Sequence, residues 1–332
     1  MSAQTIPYHL RPNKAVERNL FIALLGLINR VKNIANYAYI GFGGPFLEDF
    51  KNIHAAFGIS NMLSLEMDEN VHKRQIFNAP LKCIKYLPKT SDQFINNMED
   101  YSIRTNIIVW LDYTSPSQLL SYLDEFQRLI AKSELFDIIK ITLNADPTKW
   151  GKIDTRGKRG VDRVITIRRN NEERLTKLER RIPDEYFPQG LTPEMMGDEL
   201  YPTVLCRIVE LAAKRATQGI SGRVFQPLSL FTYADRSTMQ TITGILLPES
   251  DVENFFKNTG IKDWQFSCTQ WGPPKLIDVP VLSLKERLSI EKLLPNTTYK
   301  DIYSLIDYID EPEIDNYITY YRHYPFFSRV VL

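Results

Sequence analysis

An apolar run, Tyr37-Ala-Tyr-Ile-Gly-Phe-Gly-Gly-Pro45, closes in three glycines, and a second, Asn61-Met-Leu-Ser-Leu-Glu-Met-Asp68, closes in carboxylates. The residues between them have helical character. No other part of the chain limits the possible folds so tightly. A glycine bend lets backbone approach a ligand closely, because no Cβ intrudes. A carboxylate about 20 residues further on, at the end of the next strand, can accept hydrogen bonds from two ribose hydroxyls. This arrangement predicts a strand–helix–strand unit that holds an adenosine-containing cofactor.

The residues that follow repeat the pattern. The spacing predicts strands over 37–41, 62–66, 83–87, 106–112 and 136–143, with helices over 46–57, 69–77, 91–98 and 115–130 between them. Apolar strands separated by helices imply a parallel sheet covered on both faces. Right-handed crossovers make it doubly wound. The expected fold class is therefore α/β, with a doubly wound, mostly parallel sheet.

The alternation breaks after Asn144. Residues 149–181 are charge-dense and mostly basic, and 193–218 read as a helix capped by Thr192. Residues 224–233 and 238–247 read as an antiparallel hairpin turning through Ala234-Asp-Arg-Ser237. A helix over 14–33, with Asn13 as its cap, precedes the first strand. Helices over 283–294, 299–309 and 314–321 come last. Three units are expected: a helical lid over 1–34, a Rossmann-like domain over 35–250 with its basic insert, and a small, mostly helical appendage over 251–332.

Composition narrows the function classes. The net charge of +1 gives the whole molecule no pull toward nucleic acid or membrane, so any such binding needs a local patch. Cys83, Cys206 and Cys268 lie far apart in apolar settings and read as buried free thiols. The four histidines show no ligand spacing, so no metal site is expected. The first residues lack a signal-peptide pattern, and no apolar stretch is long enough to span a bilayer. A reducing cytoplasm and no membrane contact are the expectation. A phosphate-loop motif, a His-Glu-x-x-His motif and a Gly-x-Ser-x-Gly elbow are all absent.

Five alternating strands, then a long helix and a terminal antiparallel hairpin, resemble the class I S-adenosylmethionine-dependent methyltransferase fold. The resemblance covers residues 35–247 and is similar to a bacterial O-methyltransferase-like group. It implies that Gly41, Gly43 and Gly44 pass beneath the methionine part of S-adenosylmethionine. It implies that Glu66, with Asp68 behind it, holds the ribose, and that Asp112 and Tyr113 after the fourth strand face substrate and methyl group. By analogy with methyltransferases that close the cofactor site with an N-terminal segment, Tyr8–Lys14 folds over the pocket. Two positions depart from the family pattern. Tyr39 stands where an acid usually meets the cofactor's amino group, and Leu111-Asp-Tyr-Thr-Ser-Pro116 lacks the Asn/Asp-Pro-Pro-Tyr/Phe signature of amino-methylating nucleic-acid enzymes.

Each candidate also has a plainer reading. The glycines serve equally as a tight strand-to-helix turn. Glu66 suits a helix-start carboxylate facing the helix dipole, and Asp68 suits a helix cap better still. Asp112 reads as a general base, as a group orienting the acceptor, or as an Asx turn. Tyr113 reads as a stacking platform or as packing. Arg11, Asn13 and Lys14, with Glu17 and Arg18, form either a lid that meets an anion or a solvated helix start.

The reading is methyl transfer to an oxygen or nitrogen acceptor. The alternative keeps the fold without the reaction: a non-catalytic subunit of a bacterial complex, of the antiviral-defence kind, that binds a protein partner or nucleic acid. A nicotinamide dehydrogenase comes third, against the terminal hairpin. Insert 149–181 is the candidate surface for nucleic acid, and it alternatively docks on the acidic tail over 301–315. The aromatic tail Tyr317–Leu332, with Tyr320, Tyr321, Tyr324, Phe326 and Phe327, is the candidate surface for a protein partner.

Overall fold

Strand order decides where a ligand can sit. A computed structural model describes residues 11–219, 222–234 and 237–325. Its strands are β1 (Ala38–Gly41), β2 (Asn61–Leu65), β3 (Ile84–Leu87), β4 (Ile107–Asp112), β5 (Ile138–Asn144), β6 (Arg223–Ala234), β7 (Thr238–Pro248) and β8 (Lys275–Ile277). They form one sheet in the order β3-β2-β1-β4-β5-β7-β6-β8. The first five run parallel, and β7 pairs antiparallel with both β5 and β6. The strand order reverses between β1 and β4, so the crevice at their carboxyl ends is the expected ligand site.

The helices are α1 (Pro12–Ile28), α2 (Glu48–Phe57), α3 (Glu69–Phe77), α4 (Ser91–Asn96), α5 (Leu119–Lys132), α6 (Gly160–Glu179) and α7 (Tyr201–Thr217), then α8 (Val252–Thr259), α9 (Leu284–Glu291), α10 (Tyr299–Tyr303) and α11 (Glu311–Tyr320). Strand β4 shows how they divide. Ile107, Val109 and Leu111 face the core under α5 and α7, while Ile108 and Trp110 face the core under α1 and α2. Side chains alternate faces along a strand, so an all-apolar strand requires cover on both sides.

Several boundaries move from the expected ones. Helix α1 begins at Pro12 with Arg11 as its N-cap, so Asn13 lies inside the first turn. The Asn13 amide donates to the Ala234 carbonyl at 2.9 Å, and its Oδ1 accepts from the Val279 amide at 2.8 Å. Thr192 caps only a short 3-10 turn, because α7 starts at Tyr201. The basic insert contains α6. Of the cysteines, Cys206 is buried, whereas Cys83 and Cys268 are half-buried; all three are free thiols.

The C-terminal residues are tied to the sheet rather than set apart from it. Strand β8 pairs in parallel with β6. A third core cluster joins Val16 and Leu20 of α1 to Phe231, Tyr233, Ile277, Tyr317, Tyr320 and Tyr324. The Tyr317, Tyr320 and Tyr324 rings are thus core. Tyr321 packs against that core, and Phe326 and Phe327 lie outside the described residues. Among the described residues no helix is long and apolar enough to cross a membrane.

Candidate functional site

A cavity of about 630 Å³ opens at the carboxyl ends of β1, β2 and β4. Six of the expected residues line it: Arg11, Lys14, Gly44, Glu66, Asp112 and Tyr113. They converge because the topology brings three strand ends and the start of α1 to one edge.

The glycine bend owes its shape to different demands at each position. Gly44 has φ of +50°, a left-handed conformation that glycine adopts without strain. Gly43 is needed for packing, since a Cβ there would run into the Leu47 side chain and lie 2.8 Å from Ser64 Oγ. Gly41 stops 3.1 Å from the Tyr39 hydroxyl by the same measure. Gly41 and Gly43 are therefore structural supports beside the cavity, and only Gly44 lines it. The buried Gln75 amide on α3 donates to the Gly44 carbonyl at 3.0 Å, and Asn78 donates to the Pro45 carbonyl at 2.7 Å. Ser64 in turn donates to Gln75 Oε1 at 3.2 Å.

Glu66 lies just beyond β2, with Oε1 accepting from the Asp68 backbone amide at 2.8 Å. Burial raises its pKa, against the opposing pull of backbone amides at Asp68 and Met67. Asp68 is not among the cavity-lining residues. It caps α3, accepting from the Asn70 and Val71 amides at 2.9 Å each, and its own amide fixes Glu66.

Asp112 ends β4 and is half-buried at the cavity. Tyr113 follows with its ring stacked on Tyr122 at 3.8 Å and 5°. Its hydroxyl donates to Glu125 Oε2 at 2.6 Å. Burial and the negative charge of Glu125 raise the phenol's pKa well above its ordinary value. Ser91 donates to the same oxygen at 2.5 Å, and Ser121 donates to Oε1 at 3.3 Å. Sequence reasoning missed this wall of buried Glu125 and Ser91 and half-buried Tyr122. The available signal was a carboxylate set between Leu123 and Phe126 on the apolar side of α5.

Above the strand ends, α1 is anchored by two buried ion pairs. Arg18 Nε and Nη2 meet Asp49 Oδ1 and Oδ2 at 2.7 Å and 3.3 Å. Lys140 Nζ on β5 meets Glu17 Oε1 at 2.6 Å, and Thr241 donates to the same oxygen at 3.0 Å. The Trp110 ring lies beneath both cations, 4.8 Å from Arg18 Cζ and 3.6 Å from Lys140 Nζ. Burial lowers the Lys140 pKa and raises that of Asp49, in each case against the partner's charge. The same anchoring sets Arg11 and Lys14 at the cavity. Burial, then the charge of Arg18, lowers Lys14 to about 8, while Asp112 and Asp49 oppose the shift.

Tyr39, in the family's usual acid position, is buried on the opposite sheet face, edge-on to Phe50 at 4.8 Å. Glu66, Asp92, Asp112 and Glu125 are the carboxylates that line the cavity.

The profile of a family described as "Putative O-methyltransferase" matches residues 6–332. No curated protein matches the chain. Among solved structures, one described as a "putative S-adenosylmethionine dependent methyltransferase" from Listeria monocytogenes is 10% identical, with a TM-score of 0.36, over 68% of this chain and 98% of that one. Trm1 from Pyrococcus horikoshii, solved with S-adenosyl-L-methionine, is 12% identical, with a TM-score of 0.41, over 70% of this chain and 55% of that one. At such scores neither likeness bears on what this chain binds.

Proposed function

The chain belongs to the family described as "Putative O-methyltransferase", and from that premise we propose that it is an S-adenosylmethionine-dependent methyltransferase with an oxygen or nitrogen acceptor. The observation that carries the reading is the meeting of Gly44, Glu66 and Asp112 around one cavity. Its volume of about 630 Å³ suits a nucleoside-sized ligand together with part of an acceptor.

The donor set fits the cofactor. The Glu66 carboxylate suits a ribose diol, as charge-assisted hydrogen bonds are the strong ones. The left-handed Gly44 brings bare backbone to the wall. Arg11 and Lys14 offer cations to a carboxylate. S-adenosylmethionine, when bound, supplies an activated sulfonium methyl group.

The protein's own task is alignment and exclusion of water. Asp112 orients the acceptor or takes its proton. The Tyr113–Tyr122 stack, fixed through Glu125, forms a rigid apolar wall. The Tyr113 hydroxyl is committed to Glu125, so Tyr113 acts through its ring. Thermal unfolding with S-adenosylmethionine and S-adenosylhomocysteine tests the reading. A ligand that binds only the folded state raises the melting temperature, and no shift with either compound at millimolar concentration defeats it.

A further inference from the structure

A second hollow lies in the insert after β5, and its walls hold no carboxylate. Lys149, Lys177, Arg180 and Arg181 surround Trp150 in a cavity of about 360 Å³. All four cations are exposed, while the indole is buried. The Trp150 Nε1 donates to the Tyr201 hydroxyl at 2.6 Å, which fixes the floor to α7. Arg181 Cζ stands 5.7 Å from the indole ring. Buried Arg174 donates to the Gly151 carbonyl at 2.7 Å and to the Met196 carbonyl at 2.9 Å, holding α6 against the loop that carries Lys149 and Trp150.

An adjoining hollow shares Lys177 and Arg180 and is lined by Glu172 and Glu173, whose charges are met by other arginines. Arg156 pairs with Asp154, Arg168 with Glu172 and Arg169 with Glu173. Around the hollow, the ion pair found is Lys149 with Asp146, at a long 3.8 Å. Four like charges held around one rigid pocket repel each other, and an anion relieves that repulsion. The chain as a whole carries only +1, so this concentration is local.

We infer that the Lys149–Trp150–Lys177–Arg180–Arg181 hollow is a phosphate-binding site, separate from the methyl-transfer cavity, that takes the phosphodiester backbone of a nucleic acid or the phosphate of a free nucleotide. Two arginines offer planar forks of donors that match phosphate oxygens, and two lysines add point charges. Thr142 on β5 is in register with Asp112 on β4, and the chain reaches Trp150 from that same sheet edge. The inference does not depend on methyl transfer.

The test uses the full chain and fluorescence anisotropy of a labelled single-stranded RNA 20-mer, with AMP and inorganic phosphate as competitors. The charge reversal Lys177→Glu/Arg180→Glu should weaken RNA binding about tenfold or more and flatten its salt dependence by roughly 0.7 per lost phosphate contact. The control Arg168→Glu/Arg169→Glu changes net charge equally outside the hollow and should cost less than about threefold. An unchanged melting temperature shows that both variants fold. RNA binding that AMP does not displace identifies the polymer as the source of phosphate; displacement by AMP, or AMP binding that Lys177→Glu/Arg180→Glu abolishes, identifies the nucleotide. If the wild type binds neither at low salt, or both double variants weaken binding equally, the site is refuted. Either result is independent of the response to S-adenosylhomocysteine.

Discussion

The Tyr113 hydroxyl donates to Glu125 Oε2 across 2.6 Å, joining the end of β4 to α5 at the cavity wall. Glu125 is only 6% exposed, so its oxygens rely on the surrounding donors for hydrogen bonds. Tyr113→Phe keeps the ring and its stack on Tyr122 but removes one of those donors. It should cost about 1–3 kcal/mol in urea unfolding, the usual penalty for a buried charged group losing a partner. S-adenosylhomocysteine affinity should stay within about threefold, a change of no more than about 0.7 kcal/mol. An affinity loss larger than the stability loss would give the hydroxyl a direct ligand contact.

The Glu17–Lys140 pair is fully enclosed, with Lys140 at 0% exposure. Removing one member strands the other's charge in the core. Lys140→Met alone should therefore destabilise by about 3–5 kcal/mol, and Glu17→Leu/Lys140→Met by clearly less. Chemical denaturation of the single and double variants measures the difference. A double-variant loss equal to the sum of the Lys140→Met and Glu17→Leu single losses would mean the pair is not coupled.

Lys14 links stability to pH. Its folded pKa of about 8 lies below the ordinary 10.5. Between those values the unfolded chain binds more protons than the folded one, so stability attributable to Lys14 rises with pH across that window. Lys14→Met removes the penalty for burying a charge. The variant should therefore melt higher than wild type at pH 7, and the gap should close between pH 8 and 10.5. A gap that is constant or widens with pH contradicts this.

Gly43→Ala probes the bend without touching the cavity. Its Cβ collides with Leu47 and crowds Ser64. Overpacking of this kind costs about 1–3 kcal/mol. Thermal unfolding should register the loss, and a stability equal to wild type would show that the bend is not packed as described.

Much of the fold was legible because strand periodicity and helix spacing are local properties. The apolar run at Ile107–Leu111 demands cover on both faces wherever it sits. That Gly44, Glu66 and Asp112 come to one cavity was legible for a related reason: parallel topology delivers strand ends to one edge. Glu125, Gln75 and Lys140 were not, because which side of a helix or strand faces a neighbour is set by tertiary packing. Lys140 left a trace even so. A lone lysine within Ile138–Leu143 calls for a buried carboxylate, though sequence alone does not say that α1 supplies it through Glu17. Asp68 caps α3, the plainer reading of its position, and Asn13 ties α1 to the Ala234 and Val279 backbone.

Isothermal titration of S-adenosylhomocysteine into the wild type and Glu66→Ala tests the central claim most directly. The account predicts saturable binding by the wild type, weakened about tenfold or more in Glu66→Ala through loss of charge-assisted hydrogen bonds. Equal affinity in both proteins would remove Glu66 from the cofactor site, and no binding by a folded wild type would contradict the proposed activity itself.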